Sequence, residues 1–305
     1  MRAIGIREFG GRDKLELLDL PEPKLPPESV LIRVRAAGVN PVDWKLREGR
    51  LEPSWPHVFP VVPGWDAAGV VERVGPAVTE FAPGDEVFTY CRGRVLGDGA
   101  YAELVCVTES FVAHKPRSLD FEHAAAMPLA GLTAYQALFL GAGLVAGETV
   151  LVHAAAGGVG SFAVQLAADA GAEVVGTASE QNTEYVLGLG ATEVVDYTQR
   201  DFVEGVREAY PDGVDVVFDL IGGETQERSR ELLREDGRLV SITQPPKDGR
   251  YVFVRPDADQ LTELAELADA GRLTVHVEAF PLEEVARAHE LSEGGHVRGK
   301  LVLRL

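Results

Sequence analysis

Leu151-Val152-His153-Ala154-Ala155-Ala156-Gly157-Gly158-Val159-Gly160 is the stretch that decides the fold. The mostly apolar run Thr149–His153 leads into it. Ser161–Ala170 follows, Ala-rich, with Phe162, Leu166 and Ala170 at the i, i+4, i+8 spacing of one helical face. A strand, a small-residue turn and a helix are therefore expected in succession. Read as A-x-G-x-x-G, the pattern assigns a tight turn to Ala155, close backbone approach to Gly157 and close helix–strand packing to Gly160. The backbone of Gly158 and Val159 would open the helix, whose free N–H groups and positive dipole end suit a pyrophosphate. Such a pattern alone is weak evidence, but the strand–turn–helix context favours a dinucleotide site over a plain turn.

Outward from this loop the rhythm continues as strand and helix in alternation. Glu173–Thr177, Glu193–Tyr197, Val214–Leu220 and Arg238–Thr243 read as strands, with helices over Glu184–Leu189, Phe202–Ala209 and Thr225–Leu233. Strands apolar throughout must be covered on both faces, which predicts a parallel doubly wound sheet. Loops at the carboxyl ends of its strands line the ligand crevice, so the backbones of Gly222, Gly223 and Thr243 are candidate contacts. The second strand ends at Gly176-Thr177-Ala178-Ser179 without the Asp or Glu that commonly holds an NAD ribose. Ser179, Asn182 and Tyr197 offer polar groups to a 2′-phosphate, which favours NADPH over NADH. No Arg or Lys stands in that loop, and Ser179 and Asn182 also suit an ordinary helix start.

Before residue 120 the character differs. Val30–Ala37, Ala68–Val74, Glu86–Tyr90 and Tyr101–Val107 are short β-branched runs, bounded by Pro26-Pro27, Pro63-Gly64 and Pro83-Gly84. A compact, mostly β unit is expected there. Past Tyr251–Val254, helices are expected over Asp259–Ala270 and Leu282–Leu291. A closing strand, Lys300–Leu305, is expected to rejoin the first unit.

The bulk numbers exclude several classes. A chain of 305 residues fits two domains. The net charge of −19 makes nucleic acid or an anionic membrane an unsuitable partner. No apolar run approaches the roughly 20 residues of a membrane span, and charges interrupt the N-terminus, so a cytoplasmic protein is the default expectation. Two cysteines, Cys91 and Cys106, supply neither a disulfide framework nor a four-cysteine zinc site.

Several further motifs stand in order: Gly38-Val39-Asn40-Pro41-Val42-Asp43-Trp44-Lys45, Pro63-Gly64-Trp65-Asp66-Ala67-Ala68-Gly69-Val70-Val71, Gly84-Asp85-Glu86-Val87, Gly99-Ala100-Tyr101-Ala102-Glu103, Ala130-Gly131-Leu132-Thr133-Ala134-Tyr135 and Arg298-Gly299-Lys300. With the glycine loop, they resemble the zinc-independent quinone oxidoreductase branch of the medium-chain dehydrogenase/reductase superfamily over nearly the whole length. The resemblance implies an α/β architecture: a GroES-like, partly open β-barrel catalytic domain over 1–120 and 255–305, and a Rossmann doubly wound parallel sheet over 121–254. It also implies a cleft between them and a homodimer paired through Tyr251–Val254.

The resemblance bears on metal too. Zinc-dependent relatives carry Cys at Asn40, His-Glu at Trp65-Asp66, and Cys or Asp near Leu129; Asn, Trp and Leu are not zinc ligands of the usual kind. No zinc is expected, so an acceptor already electrophilic, a quinone or enone, is expected as the small-molecule partner. By similarity, Asn40 donates its amide to an acceptor carbonyl, or caps the helix begun by Pro41, or both. Asp43 is expected to orient that turn. Trp44 and Trp65 are candidates for lining the acceptor pocket or for plain core. Lys45 stands where relatives often have Tyr, and is a candidate for the only positive charge near the acceptor. Thr133, opening a helix, is expected at the nicotinamide end. Lys300 reaches a cofactor phosphate or sits on a strand surface. Three functions stay open: an NADPH-dependent quinone reductase, an enone or enoyl-thioester reductase, and a non-catalytic NADPH-binding redox sensor.

Overall fold

Strand β1 (Ser29–Val39) organises the N-terminal part of the computed structural model, which describes Met1–Leu305. Its alternating Val30, Ile32 and Val34 are buried, as β-branched residues on an inward face should be. It pairs antiparallel with β2 (Asp66–Val74), and β2 with β3 (Glu86–Tyr90). The first half of β1 also pairs with β4 (Leu104–Thr108), while β5 (Val112–His114) closes on β3. Tyr101, Ala67, Val87 and Val105 join the core these strands enclose. The strand expected from Tyr101 begins at Leu104, because the Tyr101 carbonyl is taken by the Ile4 N–H and its side chain is fully buried.

The second unit follows. Its strands β6 (Thr149–Val152), β7 (Glu173–Ala178), β8 (Glu193–Asp196), β9 (Val214–Asp219), β10 (Leu233–Ser241) and β11 (Arg250–Tyr251) lie side by side in the order β8-β7-β6-β9-β10-β11. Every neighbouring pair is parallel. This is the doubly wound nucleotide-binding order, with its switch point between β6 and β9. Leu151, Val175, Val195, Val217 and Leu239 form one buried cluster on the sheet. Two local readings differ. The helix expected over Thr225–Leu233 is Gly223–Ser229 with a 3₁₀ turn to Leu232, so β10 starts at Leu233, five residues before expectation. The stretch Gln136–Ala142 is a π-helix closed by Gly143 in the left-handed region, a form no apolar spacing announces.

The chain then returns. Strand β12 (Val277–Pro281) pairs parallel with β13 (Lys300–Arg304), and β13 lies antiparallel on the second half of β1, with Leu301 opposite Val39. The C-terminal strand thus completes the first sheet. By contact, the first unit is Met1–Leu129, Pro256–Gly271 and Val275–Leu305, and the second is Ala130–Arg255 with Arg272–Thr274. The passage between them falls at Leu129–Ala130 rather than near residue 120, because the Ala-rich helix Phe121–Ala125 packs on β1 and β2. No helix is long and apolar enough to cross a membrane.

Candidate active site

Helix α1 (Pro41–Arg47) starts where β1 ends, with Asn40 as its N-cap and Pro41 in the first turn. Asn40 and Asp43 form the reciprocal capping box, the Asn40 backbone N–H donating to Asp43 Oδ2 at 2.7 Å. The other Asp43 oxygen accepts the Gly64 N–H at 3.1 Å, and the Tyr101 hydroxyl donates to Oδ2 at 3.1 Å. Asp43 therefore ties the start of α1 to the Pro63-Gly64 turn that introduces β2.

The Asn40 side chain lies between a cation and an anion. Its Oδ1 accepts from Lys300 Nζ, and its Nδ2 donates to Asp66 Oδ2 at 2.8 Å. These partners fix which end of the amide is which, because an ammonium only donates and a carboxylate only accepts. Lys300 Nζ also donates to the Val39 carbonyl at 3.1 Å and stands 3.8 Å from Asp66 Oδ2, whose other oxygen accepts the Leu129 N–H at 2.8 Å. Asn40, Asp43, Asp66 and Lys300 are all buried. Burial pushes the Lys300 ammonium down against the pull of Asp66 and Asp43. It pushes the Asp66 carboxyl up against Lys300, Asn40 and the Leu129 N–H. Burial also lifts Asp43 to about 7, with Asp66 adding to it, while the Asn40 N–H, Lys300 and Tyr101 hold it back.

A second limb runs from Asp43 outward. Tyr101 Oη lies 3.4 Å from His289 Nε2, and Arg47 Nη1 lies 3.2 Å from His289 Nδ1. A guanidinium has no acceptor, so Nδ1 accepts and the proton sits on Nε2. Burial, with Arg47 and Arg12 adding repulsion, holds the His289 imidazole down at about 3, hence neutral. Arg47 itself is 1% exposed and neutralised by Glu293 at 2.8 Å and Glu48 at 3.1 Å.

Two expectations about charge are corrected here. Lys300 lies neither on a strand surface nor free for a phosphate, because the register of β13 on β1 buries its ammonium against Asn40 and Val39. Lys45 is not the only positive charge in this region; its Nζ sits 5.4 Å over the Trp44 ring, and Arg50 covers the same ring at 4.8 Å. Trp65 is buried beside Asp66, and Trp44 is half-buried.

In the second unit the glycine loop joins β6 to helix α2 (Gly158–Asp169), whose N-cap is Gly157 with no side chain capping it. The tight turn falls on Ala154, at φ +46°, one residue before the expected Ala155; the Ala155 N–H instead bonds the Thr177 carbonyl. A Cβ on Gly160 would stand 2.2 Å from the Ala154 carbonyl oxygen, which is the close packing this position requires. Ser179 and Asn182 share a side-chain hydrogen bond of 3.1 Å just past β7, and the Tyr197 N–H bonds the Ala178 carbonyl, so all three gather at the ends of β7 and β8. Tyr197 is half exposed.

Asp219, at the end of β9, was not singled out in the sequence. It accepts from the backbone N–H groups of Gly222 (2.8 Å) and Ile221 (3.0 Å) and from Gln226, Ser241 and Thr243 side chains. Burial pushes its carboxyl up, but these donors outweigh it and hold it below its ordinary value. It thereby fixes the Gly222 and Thr243 loops. Thr133 does not open a helix: it is buried six residues into Pro128–Tyr135.

The loop fits a dinucleotide. The first turn of α2 has open N–H groups, and the loops after β6 to β10 gather the other candidates at the carboxyl edge of the sheet. The Asn40 centre does not fit zinc: its amide, the indole of Trp65 and the Leu129 side chain offer no usual donor, and Asp66 already holds Lys300 and two N–H groups. No group of three or more His, Cys, Asp or Glu side chains is arranged to hold a metal ion.

Residues 26–117 match the family model for the alcohol dehydrogenase GroES-like domain, and 189–303 that for zinc-binding dehydrogenase. The chain is 36% identical to the NADPH-dependent alkenal/one oxidoreductase, chloroplastic, of Arabidopsis thaliana, over 99% of this chain and 79% of that protein. The structure of the quinone oxidoreductase from Coxiella burnetii superimposes with a TM-score of 0.91 at 34% identity, covering 100% of this chain and 99% of that one. The chain belongs to the zinc-independent quinone oxidoreductase branch of the medium-chain dehydrogenase/reductase superfamily. The crystal structure of Escherichia coli quinone oxidoreductase complexed with NADPH matches at TM-score 0.87 and 30% identity, covering 100% of each chain. Membership in this branch makes the chain an oxidoreductase, with the GroES-like and Rossmann architecture described above.

Proposed function

We propose that this oxidoreductase transfers a hydride from NADPH to a quinone without zinc. The observation that carries the proposal is the Asn40 amide held between Lys300 and Asp66. An ammonium on Oδ1 draws electron density from the amide and strengthens its N–H groups as donors. Nδ2 has a second hydrogen besides the one given to Asp66, and it is assigned to the acceptor's carbonyl oxygen, where negative charge develops on reduction. Asp43 keeps the N-cap in place rather than moving a proton. Trp65 and Trp44 line the acceptor's site.

When bound, NADPH supplies the hydride. Gly158, Val159 and Gly160 would hold its pyrophosphate through backbone N–H groups, while Gly157, whose own N–H goes to the Ala154 carbonyl, would let the backbone approach closely. Ser179, Asn182 and Tyr197 would meet the 2′-phosphate. Gly222 and Thr243 contribute the loops that Asp219 fixes. The relative in complex with NADPH and the NADPH-dependent plant relative support this choice of cofactor. That plant relative, named for alkenals and alkenones, also favours a second reading, reduction of an enone double bond. We further propose a homodimer, since β11 is the edge strand of its sheet, with Tyr251 38% and nearby Phe253 46% exposed.

The test is Asn40→Ala, assayed by NADPH absorbance with quinone and enone acceptors. The variant is expected to bind NADPH as before and lose roughly 100-fold in kcat, the cost of removing one donor to a developing oxyanion. An unchanged kcat would remove Asn40 from the mechanism.

A further inference from the structure

Two buried side-chain polar atoms lack a hydrogen-bond partner, Trp44 Nε1 and Tyr90 Oη. Leaving such an atom unpaired in a core is costly, so each calls for a reason. Both belong to aromatic residues beside the Asn40 centre. Tyr90 is the register partner of Asp66 across β2 and β3, and residues directly opposite in an antiparallel pair project from the same face. Asp66 is the residue that takes the Asn40 amide. Tyr90 therefore projects from the same face of the β2–β3 pair as the carboxylate that takes the Asn40 amide.

The surroundings of Tyr90 are aromatic and cationic. Its ring centroid is 6.2 Å from that of Trp65, and Trp65 is 6.3 Å from Trp55. The Arg92 guanidinium covers both ends of this row, 5.5 Å from the Trp55 ring and 5.7 Å from the Tyr90 ring. Exposure is graded along it: Tyr90 is fully buried, Trp65 nearly so, and Trp55 and Arg92 half-buried. Burial pushes the Tyr90 phenol far above its ordinary range, so it remains a neutral donor.

We propose that Trp55, Trp65, Tyr90 and Arg92 form an aromatic subsite that selects a flat quinone ring, with the Tyr90 hydroxyl donating to one of its oxygens. This deepens the proposed reductase function and rests on it. The chemistry is complementary at each point. A quinone is an electron-poor ring and indole an electron-rich one, which favours stacked contact. The guanidinium adds positive potential where the acceptor's oxygens carry partial negative charge, within a chain whose net charge is −19. A straight-chain alkenal has no ring for the indoles and no second oxygen for the hydroxyl.

The test compares the wild type with Tyr90→Phe, which keeps the ring and deletes the unpaired hydroxyl. Menadione binding is followed by quenching of tryptophan fluorescence, with and without NADP⁺. KM is measured for menadione and for hexenal, and thermal unfolding is recorded. One neutral hydrogen bond of about 1 kcal/mol corresponds to about a fivefold loss, expected in both Kd and KM for menadione. For hexenal the change should stay within about twofold. The midpoint of unfolding should be unchanged or higher, since a buried unpaired hydroxyl is removed.

An unchanged menadione Kd, or equal losses for both acceptors, would overturn the subsite. A drop of several degrees in the midpoint, with Kd unchanged, would show that the hydroxyl serves the fold instead. Menadione that binds, and binds fivefold more weakly to the variant, but is never reduced would uphold the subsite and sink the proposed activity.

Discussion

Lys300→Met removes the buried ammonium and keeps most of the apolar stem. Three groups lose a partner: the Val39 carbonyl, Asn40 Oδ1 and the Asp66 carboxylate. Removing one member of a buried pair typically costs about 3–5 kcal/mol, because the other charge is left uncompensated. Here the electrostatic part has a ceiling, since Asp66 can take up a proton. From an ordinary carboxyl value of 3.8, protonation at pH 7 costs about 4 kcal/mol, and burial already raises the value, so the true ceiling lies lower. At pH 5 the same ceiling is under about 2 kcal/mol.

The variant is therefore expected to lose about 3–5 kcal/mol at pH 7, a large part of an ordinary domain's stability, and clearly less at pH 5. All three tryptophans, Trp44, Trp55 and Trp65, lie in the first unit with Lys300, so urea unfolding followed by their fluorescence reports the unit concerned. Adding Asp66→Asn to the variant should restore part of the loss. A cost below about 1 kcal/mol at both pH values, or a double variant no more stable than the single, would refute the reasoning about this pair.

Asp43 gives a pH dependence. Its carboxyl is raised from 3.8 to about 7, so its contribution to stability is complete below 3.8 and is lost as pH rises toward 7. Ionisation adds a second negative charge beside Asp66, which opposes charge building on an acceptor. kcat should fall as pH passes through about 7, and Asp43→Asn should flatten that limb; a profile identical in the two proteins would count against it. In the second unit, Gly160→Ala forces a Cβ to within 2.2 Å of the Ala154 carbonyl oxygen, whereas on Gly157 a Cβ would meet the same oxygen at 3.3 Å. Titration by NADPH fluorescence should show at least about a fivefold weaker Kd for Gly160→Ala, the effect of roughly 1–3 kcal/mol of overpacking at the loop. A smaller effect than that of Gly157→Ala would contradict the packing role.

The parallel sheet was legible because its strands are apolar on both faces and its glycine loop stands between a strand and a helix. The Asn40 centre was legible only in part. Asn40, Asp43 and Trp65 lie in two short motifs, but the partner that organises them, Lys300, is 260 residues from Asn40 and arrives through the β13–β1 register. Periodicity predicts a strand at 300–305 and says nothing of which residue it will bury beside which. In the sequence Asp66 marks only the place where zinc-dependent relatives carry a ligand, and its ion pair with Lys300 has no local signal. The same holds for Tyr90, whose unpaired hydroxyl is a property of packing. Thr133 stands five residues past the first residue of its helix and the tight turn falls at Ala154, one residue before Ala155, placements that composition does not announce.

The central claim is most directly tested by NADPH oxidation in protein stripped of metal with a chelator. NADPH and NADH are compared side by side, with quinones and enones as acceptors. Rapid oxidation of NADPH by a quinone, unchanged by added zinc, is the expected result. Oxidation that appears only after zinc is restored, or none with any acceptor despite tight NADPH binding, would contradict it.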